Sequence, residues 1–136
     1  MANLRAHGII HYFNFAVEIS RKADSKYETR KAVVGAIGFR KDGPIVHAFN
    51  GGDQKYQSPN SHAEAALIRK LGKYSPEIYV ARVRRNDGKF ALARPCISCY
   101  PRIVNAKVKR VYYTIDENTY GIIDLVRMRE YECEFL

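Results

Sequence analysis

The chain has no apolar run long enough to cross a bilayer. Gly8 to Ile19 comes nearest, and His11, Asn14 and Glu18 interrupt it, leaving it too short and too polar to span. There is no Pro-, Gly- or Ser-rich linker, no break in composition and no internal repeat along the 136 residues. Tethered modules and repeat architectures are therefore excluded, and one domain over 1–136 is expected. No signal-peptide pattern stands at the N-terminus, so the expected compartment is the cytoplasm, with no membrane partner. Cysteine is scarce: there are three, an odd number that cannot close a full disulfide framework. Acidic residues are outnumbered, 14 against 23 basic, for a formal charge of +9. Such a charge attracts phosphates, nucleic acids or acidic surfaces, or simply keeps the protein in solution. The basic pairs are scattered along the chain, so sequence alone does not place them on one face.

What is present is an ordinary globular composition, 46% hydrophobic, enough for a sizeable core at this length. Ala2 to Arg21 predicts a helix, with Ile9, Ile10, Phe13, Ala16, Val17 and Ser20 forming one buried stripe. Ala32–Arg40 and Pro44–Phe49 predict an antiparallel hairpin around the Lys41-Asp42-Gly43 turn. Ser61 caps a helix over His62–Leu71, with Glu64 completing a capping box and Gly72 closing it. Ile78–Arg84 predicts a third strand, and after the Asn86-Asp87-Gly88 turn Phe90–Ala93 extends the hairpin. Pro95 opens a helix to about Ala106, Lys109–Thr114 is a fourth strand, and Ile122–Arg129 predicts a last helix. Strand, helix, strand at this spacing predicts a parallel pair with a right-handed crossover. The whole order predicts a three-layer α/β/α sandwich around a mixed central sheet.

Two short motifs carry chemistry: His62-Ala63-Glu64 and Pro95-Cys96-Ile97-Ser98-Cys99. Cys96 and Cys99 stand about one helical turn apart, so both sulfurs can face one point. Two thiolates and the His62 imidazole suit tetrahedral Zn2+ and leave the fourth position to water, whose pKa the ion brings toward neutrality. Both motifs fall at predicted helix starts, where the positive end of the helix favours thiolate and hydroxide. Glu64, two residues beyond His62, can reach that water without binding the ion and can move its protons. A Cys-x-x-Cys alone also serves as a redox pair or as half of a structural zinc knuckle. A structural zinc takes four protein ligands, however, and no second Cys-x-x-Cys exists here. Cys133 or another histidine at the fourth position has no support from spacing.

The combination H-x-E and P-C-x-x-C is the signature of zinc-dependent nucleobase deaminases, and the chain resembles the cytidine deaminase superfamily over about Ala32 to Thr114. It is more similar to the dCMP and tRNA adenosine deaminase branches than to the free-nucleoside branch. The residues that carry the resemblance are Phe49-Asn50, Ser61-His62-Ala63-Glu64, Arg94-Pro95-Cys96-Ile97-Ser98-Cys99 and Val111-Tyr112-Tyr113-Thr114. The resemblance implies a sandwich whose last strands are parallel, deamination with release of ammonia, and a homo-oligomer. It implies that Asn50 hydrogen-bonds the substrate sugar, that the backbone of Ala63 contacts the base, and that Tyr113 and residues 114–118 border the pocket mouth. Read without it, Asn50 is equally a turn residue before Gly51-Gly52, and Tyr113 is equally a core residue. Arg94 departs from the small or uncharged residue of many relatives. It either binds a substrate phosphate bidentately or belongs to the basic surface. Ligands for a second zinc are not found, and His7, His11 and His47 read as packed or solvent-facing.

Three functions follow as expectations. The first is deamination of a cytosine nucleotide of the dCMP or dCTP type to its uracil counterpart. The second is deamination of cytosine or adenine in single-stranded DNA or RNA, which the charge and the tyrosines would suit. The third is a non-catalytic zinc module that binds nucleic acid, against which Glu64 argues, since structure alone requires no carboxylate there.

Overall fold

Apolar residues at three- and four-residue steps give helix α1 (Ala2–Ala23) one buried face, with Ile9, Phe13, Ala16 and Val17 inside and His11, Asn14 and Glu18 outside. The computed structural model describes residues 2–23, 32–39, 45–49, 67–68, 77–84, 86–95 and 100–135. Strands β1 (Ala32–Phe39) and β2 (Ile45–Phe49) pair antiparallel with Ile37 opposite His47, as the hairpin reading expects. β3 (Glu77–Arg84) pairs antiparallel with β1 on its other side. A tight turn with Gly88 at φ 71° leads to the short β4 (Phe90–Ala91), which folds back on β3. Positive φ costs glycine little, which is why the turn ends there.

Of the predicted second half, the described helix is α2 (Tyr100–Asn105), and Pro95 lies buried ahead of it. α2 closes on Lys107 at φ 60°, with Lys107 N–H donating to Val104 O and Val108 N–H to Ile103 O. This is the paired pattern that satisfies the last carbonyls of a helix. β5 (Arg110–Thr114) then lies parallel to β3 with Val80 beside Tyr113, as the strand–helix–strand spacing predicts. Leu67 and Ile68 are helical, and the rest of the predicted 62–71 helix lies outside the described residues.

The last quarter differs from expectation. The helix predicted over Ile122–Arg129 is replaced by a hairpin of β6 (Thr119–Asp124) and β7 (Arg129–Glu134), and the last strands, β5, β6 and β7, pair antiparallel rather than parallel as the resemblance implied. The apolar run that suggested a helix is a strand buried on both faces. Ile122 enters one core cluster and Ile123 the other, so the strand shows no polar alternation. The strand ends where the buried Asp124 turns its Oδ1 to accept the N–H groups of Val126 and Arg127, each at 3.0 Å.

The sheet order is β2-β1-β3-β5-β6-β7, with β4 beside β3. Alternation along the strands sends Ile37, Tyr79, Ala81, Val83, Tyr112, Tyr120 and Ile122 to the face that α1 covers. Across the parallel pair on that face, the Tyr79 and Tyr112 rings stack at 4.5 Å and 11°. Ala36, Ala48, Ile78, Val80, Val111, Tyr113 and Ile123 go to the other face, with Leu67, Ile103 and Ala106 packed over them. The mixed sheet with helical layers on both faces is the three-layer α/β arrangement expected from the element order.

Candidate active site

His62, Ala63, Glu64, Cys96, Cys99 and Asn50 lie outside the described residues; described residues stand a few positions from each motif. Leu67 stands three positions after Glu64, Ala93 three before Cys96, and Ile103 four after Cys99. All three are buried in the same core cluster, on the sheet face away from α1. The described residues flanking the two motifs thus lie on one side of one sheet.

The approach to the cysteine motif is built around Thr114, fully buried at the carboxyl end of β5. Its hydroxyl accepts the Arg82 N–H at 3.1 Å and donates to Ala91 O at 2.8 Å. Its own carbonyl accepts the Ala93 N–H at 2.9 Å. The 91–93 segment therefore runs along the end of the parallel strand pair. In open α/β sheets, ligands bind beyond the carboxyl ends of parallel strands.

Arg94 comes next, and its guanidinium is engaged. Nε donates to Glu130 Oε1 at 2.8 Å and the terminal nitrogen to Oε2 at 3.0 Å, with half of the Arg94 side chain still exposed. The Tyr113 hydroxyl donates to the same Glu130 carboxylate. Tyr113 reaches β7 because Gly121 stands opposite it on β6; a Cβ there would overlap the phenol ring. The Arg94 hydrogen bonds, against the effect of burial and with help from Tyr113, hold Glu130 below the usual carboxylate range. Burial first, then the neighbouring carboxylate, pushes the Tyr113 hydroxyl well above an ordinary phenol. The hydrogen bond to Glu130 raises the Arg94 pKa further. At the observed site, then, Arg94 is neither open surface nor a free fork: the edge that would grip a phosphate holds Glu130. Tyr113 is a buried residue whose hydroxyl is already partnered. Glu130 was not among the residues singled out by sequence, because it sits just past the mistaken helix. Its signal was the alternation Glu130, Glu132, Glu134, which is that of a strand.

Cys133, His47 and His11, alternatives for a fourth metal ligand, lie elsewhere. Cys133 is half-buried opposite Tyr120, packed into the cluster beneath α1. His47 lies opposite Ile37 on that same face, and His11 is on α1 itself. The sheet separates all three from Leu67, Ala93 and Ile103. Among the described residues no group of three or more His, Cys, Asp or Glu gathers to hold a metal. The imidazole and two thiols of His62, Cys96 and Cys99 match the N/S donors Zn2+ prefers, and Glu130, the described carboxylate nearest the cysteine motif's approach, is already engaged by Arg94 and Tyr113.

This arrangement is the α/β sandwich of the deaminases, and comparison with known proteins agrees. Residues 10–115 match the family described as the cytidine and deoxycytidylate deaminase zinc-binding region. The chain belongs to that family, whose members are hydrolases of C–N bonds, and membership supports zinc-type deamination of cytosine. The fold is similar to that of cytidine deaminase from Mycobacterium leprae, with a TM-score of 0.50 at 17% identity, covering 74% of this chain and 83% of that one. Cytidine deaminase from Burkholderia pseudomallei matches over 89% of this chain and 91% of its own, at 13% identity and a TM-score of 0.48. No helix among the described residues is long and apolar enough to cross a membrane.

Proposed function

We propose that this protein, acting as one domain, hydrolyses the exocyclic amine of a cytosine nucleotide of the dCMP or dCTP type. In this reading His62, Cys96 and Cys99 hold Zn2+. The observation that carries it is the burial of Leu67, Ala93 and Ile103 in one cluster on one sheet face, with Cys133, His47 and His11 on the other. Zn2+, when bound, supplies the Lewis acidity that makes hydroxide available near neutral pH. Glu64 accepts the proton of the attacking water and delivers it to the ring nitrogen. It then takes the remaining proton from the hydroxyl added to the ring carbon and hands it to the amine, so that the carbonyl forms as the C–N bond breaks and ammonia leaves. Asn50 and the Ala63 backbone hold sugar and base, and Tyr113 and Arg94 form the edge of the pocket. A substrate phosphate at Arg94 must share the guanidinium with Glu130, so its grip comes from the nitrogens Glu130 leaves open. The working form is a homo-oligomer.

A panel of dCMP, dCTP, CMP, cytidine, deoxycytidine and single-stranded oligonucleotides, read by ammonia release, tests this. Fastest turnover is expected on a phosphorylated deoxycytidine. Turnover confined to oligonucleotides, with affinity falling steeply as salt rises, would instead establish the polynucleotide reading that the +9 charge also suits.

A further inference from the structure

The family match ends at residue 115, yet the segment that enters the cysteine motif is held from beyond it. We propose that Glu130, on the C-terminal hairpin, is a positioning residue that fixes Arg94 and through it the backbone that presents Cys96. The inference rests on the zinc reading above.

The chain between Arg94 and Cys96 transmits position because it has few soft torsions. Pro95 is buried and its ring fixes φ, and the residue before a proline is itself confined to extended conformations. Upstream, Ala93 N–H is bonded to Thr114 O at 2.9 Å. Downstream of that anchor, the two-point contact with Glu130, at 2.8 and 3.0 Å, sets the direction of the Arg94 side chain. A bidentate arginine–carboxylate pair constrains orientation as well as distance. Glu130 is set in turn: its register opposite Ile123 puts it on the motif-bearing face, and the Tyr113 hydroxyl, passing over Gly121, donates a third hydrogen bond to its carboxylate. The four residues come from four places in the chain, and the two on the last hairpin, Gly121 and Glu130, have no part in the proposed chemistry. A tetrahedral metal site tolerates little displacement of its ligands, and loss of the groups that orient them weakens metal binding.

The test uses the zinc-loaded full chain carrying Glu130→Ala or Glu130→Gln, the second keeping the size of the side chain if the first fails to fold. Asp87→Ala is the control, breaking the exposed Arg84–Asp87 pair at 2.7 Å in the β3–β4 turn. Zinc release to excess chelator, kcat and KM for ammonia release, and thermal unfolding are all measured. Glu130→Ala should speed zinc release on the order of tenfold and lower kcat by a similar factor, with KM for a phosphorylated substrate unchanged or lowered as the guanidinium is freed. Glu130→Gln should fall between it and the wild type, and Asp87→Ala should leave zinc release, kcat and KM unchanged. Zinc release at the wild-type rate in both Glu130 variants overturns the inference. So does a rise in KM alone, which would make the pair a substrate contact. A wild-type chain that holds no zinc overturns the zinc reading, and this inference with it, before any variant is compared.

Discussion

At the scale of single residues, several positions are defined by what surrounds them. Gly121 is required by Tyr113, whose ring occupies the space a Cβ would need. Gly121→Ala should therefore cost about 1–3 kcal/mol, the usual range for overpacking, measured by chemical denaturation. In a Tyr113→Ala background the same substitution should cost almost nothing; an equal cost in both backgrounds would show that the ring is not the obstacle. Asp124 and Asp116 cap turns with their carboxylates. Asp124 accepts the Arg127 and Val126 N–H groups, and Asp116 accepts those of Asn118 and Thr119; these bonds hold both pKa values below the ordinary one. A depressed folded-state pKa gives stability that is complete above the unfolded value of about 4 and is lost as pH falls through the folded value. Stability measured against pH should decline below about 4, and Asp124→Asn should flatten that decline. Parallel curves for variant and wild type would remove Asp124 as a contributor.

Among the elements, the strands and first helix were legible for plain reasons. β1, β3 and β5 are runs of Val, Ile, Ala and Tyr between turn residues, and α1 has its apolar residues on one stripe. Phe13, fully buried, touches Tyr79, Phe90, Tyr120 and Phe135. Phe13→Ala should destabilise the protein by about 3–5 kcal/mol, the range for emptying an aromatic site in a core. A loss under 1 kcal/mol, roughly the cost of an exposed substitution, would mean that α1 is not docked as described. The final hairpin was illegible because burial on both faces erases alternation, and a short apolar run then fits either period. That error hid Glu130, since a residue after a helix carries no expectation of reaching Arg94 from 36 positions away.

For the whole molecule, the decisive feature is that the sheet has two different faces. One is closed by α1 and an aromatic cluster; the other receives the segments that flank both motifs. The division makes a firm prediction about chemistry. Glu64→Gln should reduce ammonia release by about 10²–10⁴-fold, the usual contribution of a positioned acid–base group, while zinc content, measured by metal analysis, stays at the wild-type level. Turnover surviving at the wild-type rate would exclude Glu64 as the proton carrier. Loss of zinc along with activity would make Glu64 a ligand.

The residue types, by themselves, determined the donor set and its class of chemistry: an imidazole, two thiols one helical turn apart and a nearby carboxylate suit one kind of ion and one kind of proton transfer. They also determined most of the elements, because periodicity records which faces meet apolar neighbours. Only the tertiary structure decided which face of the sheet each residue joins and which distant partner it meets. Cys133 and His47 are separated from the motif flanks by the register of β-strands, and Glu130 meets Arg94 through a hairpin. Such contacts join residues far apart in the chain, and no local pattern of side chains records them.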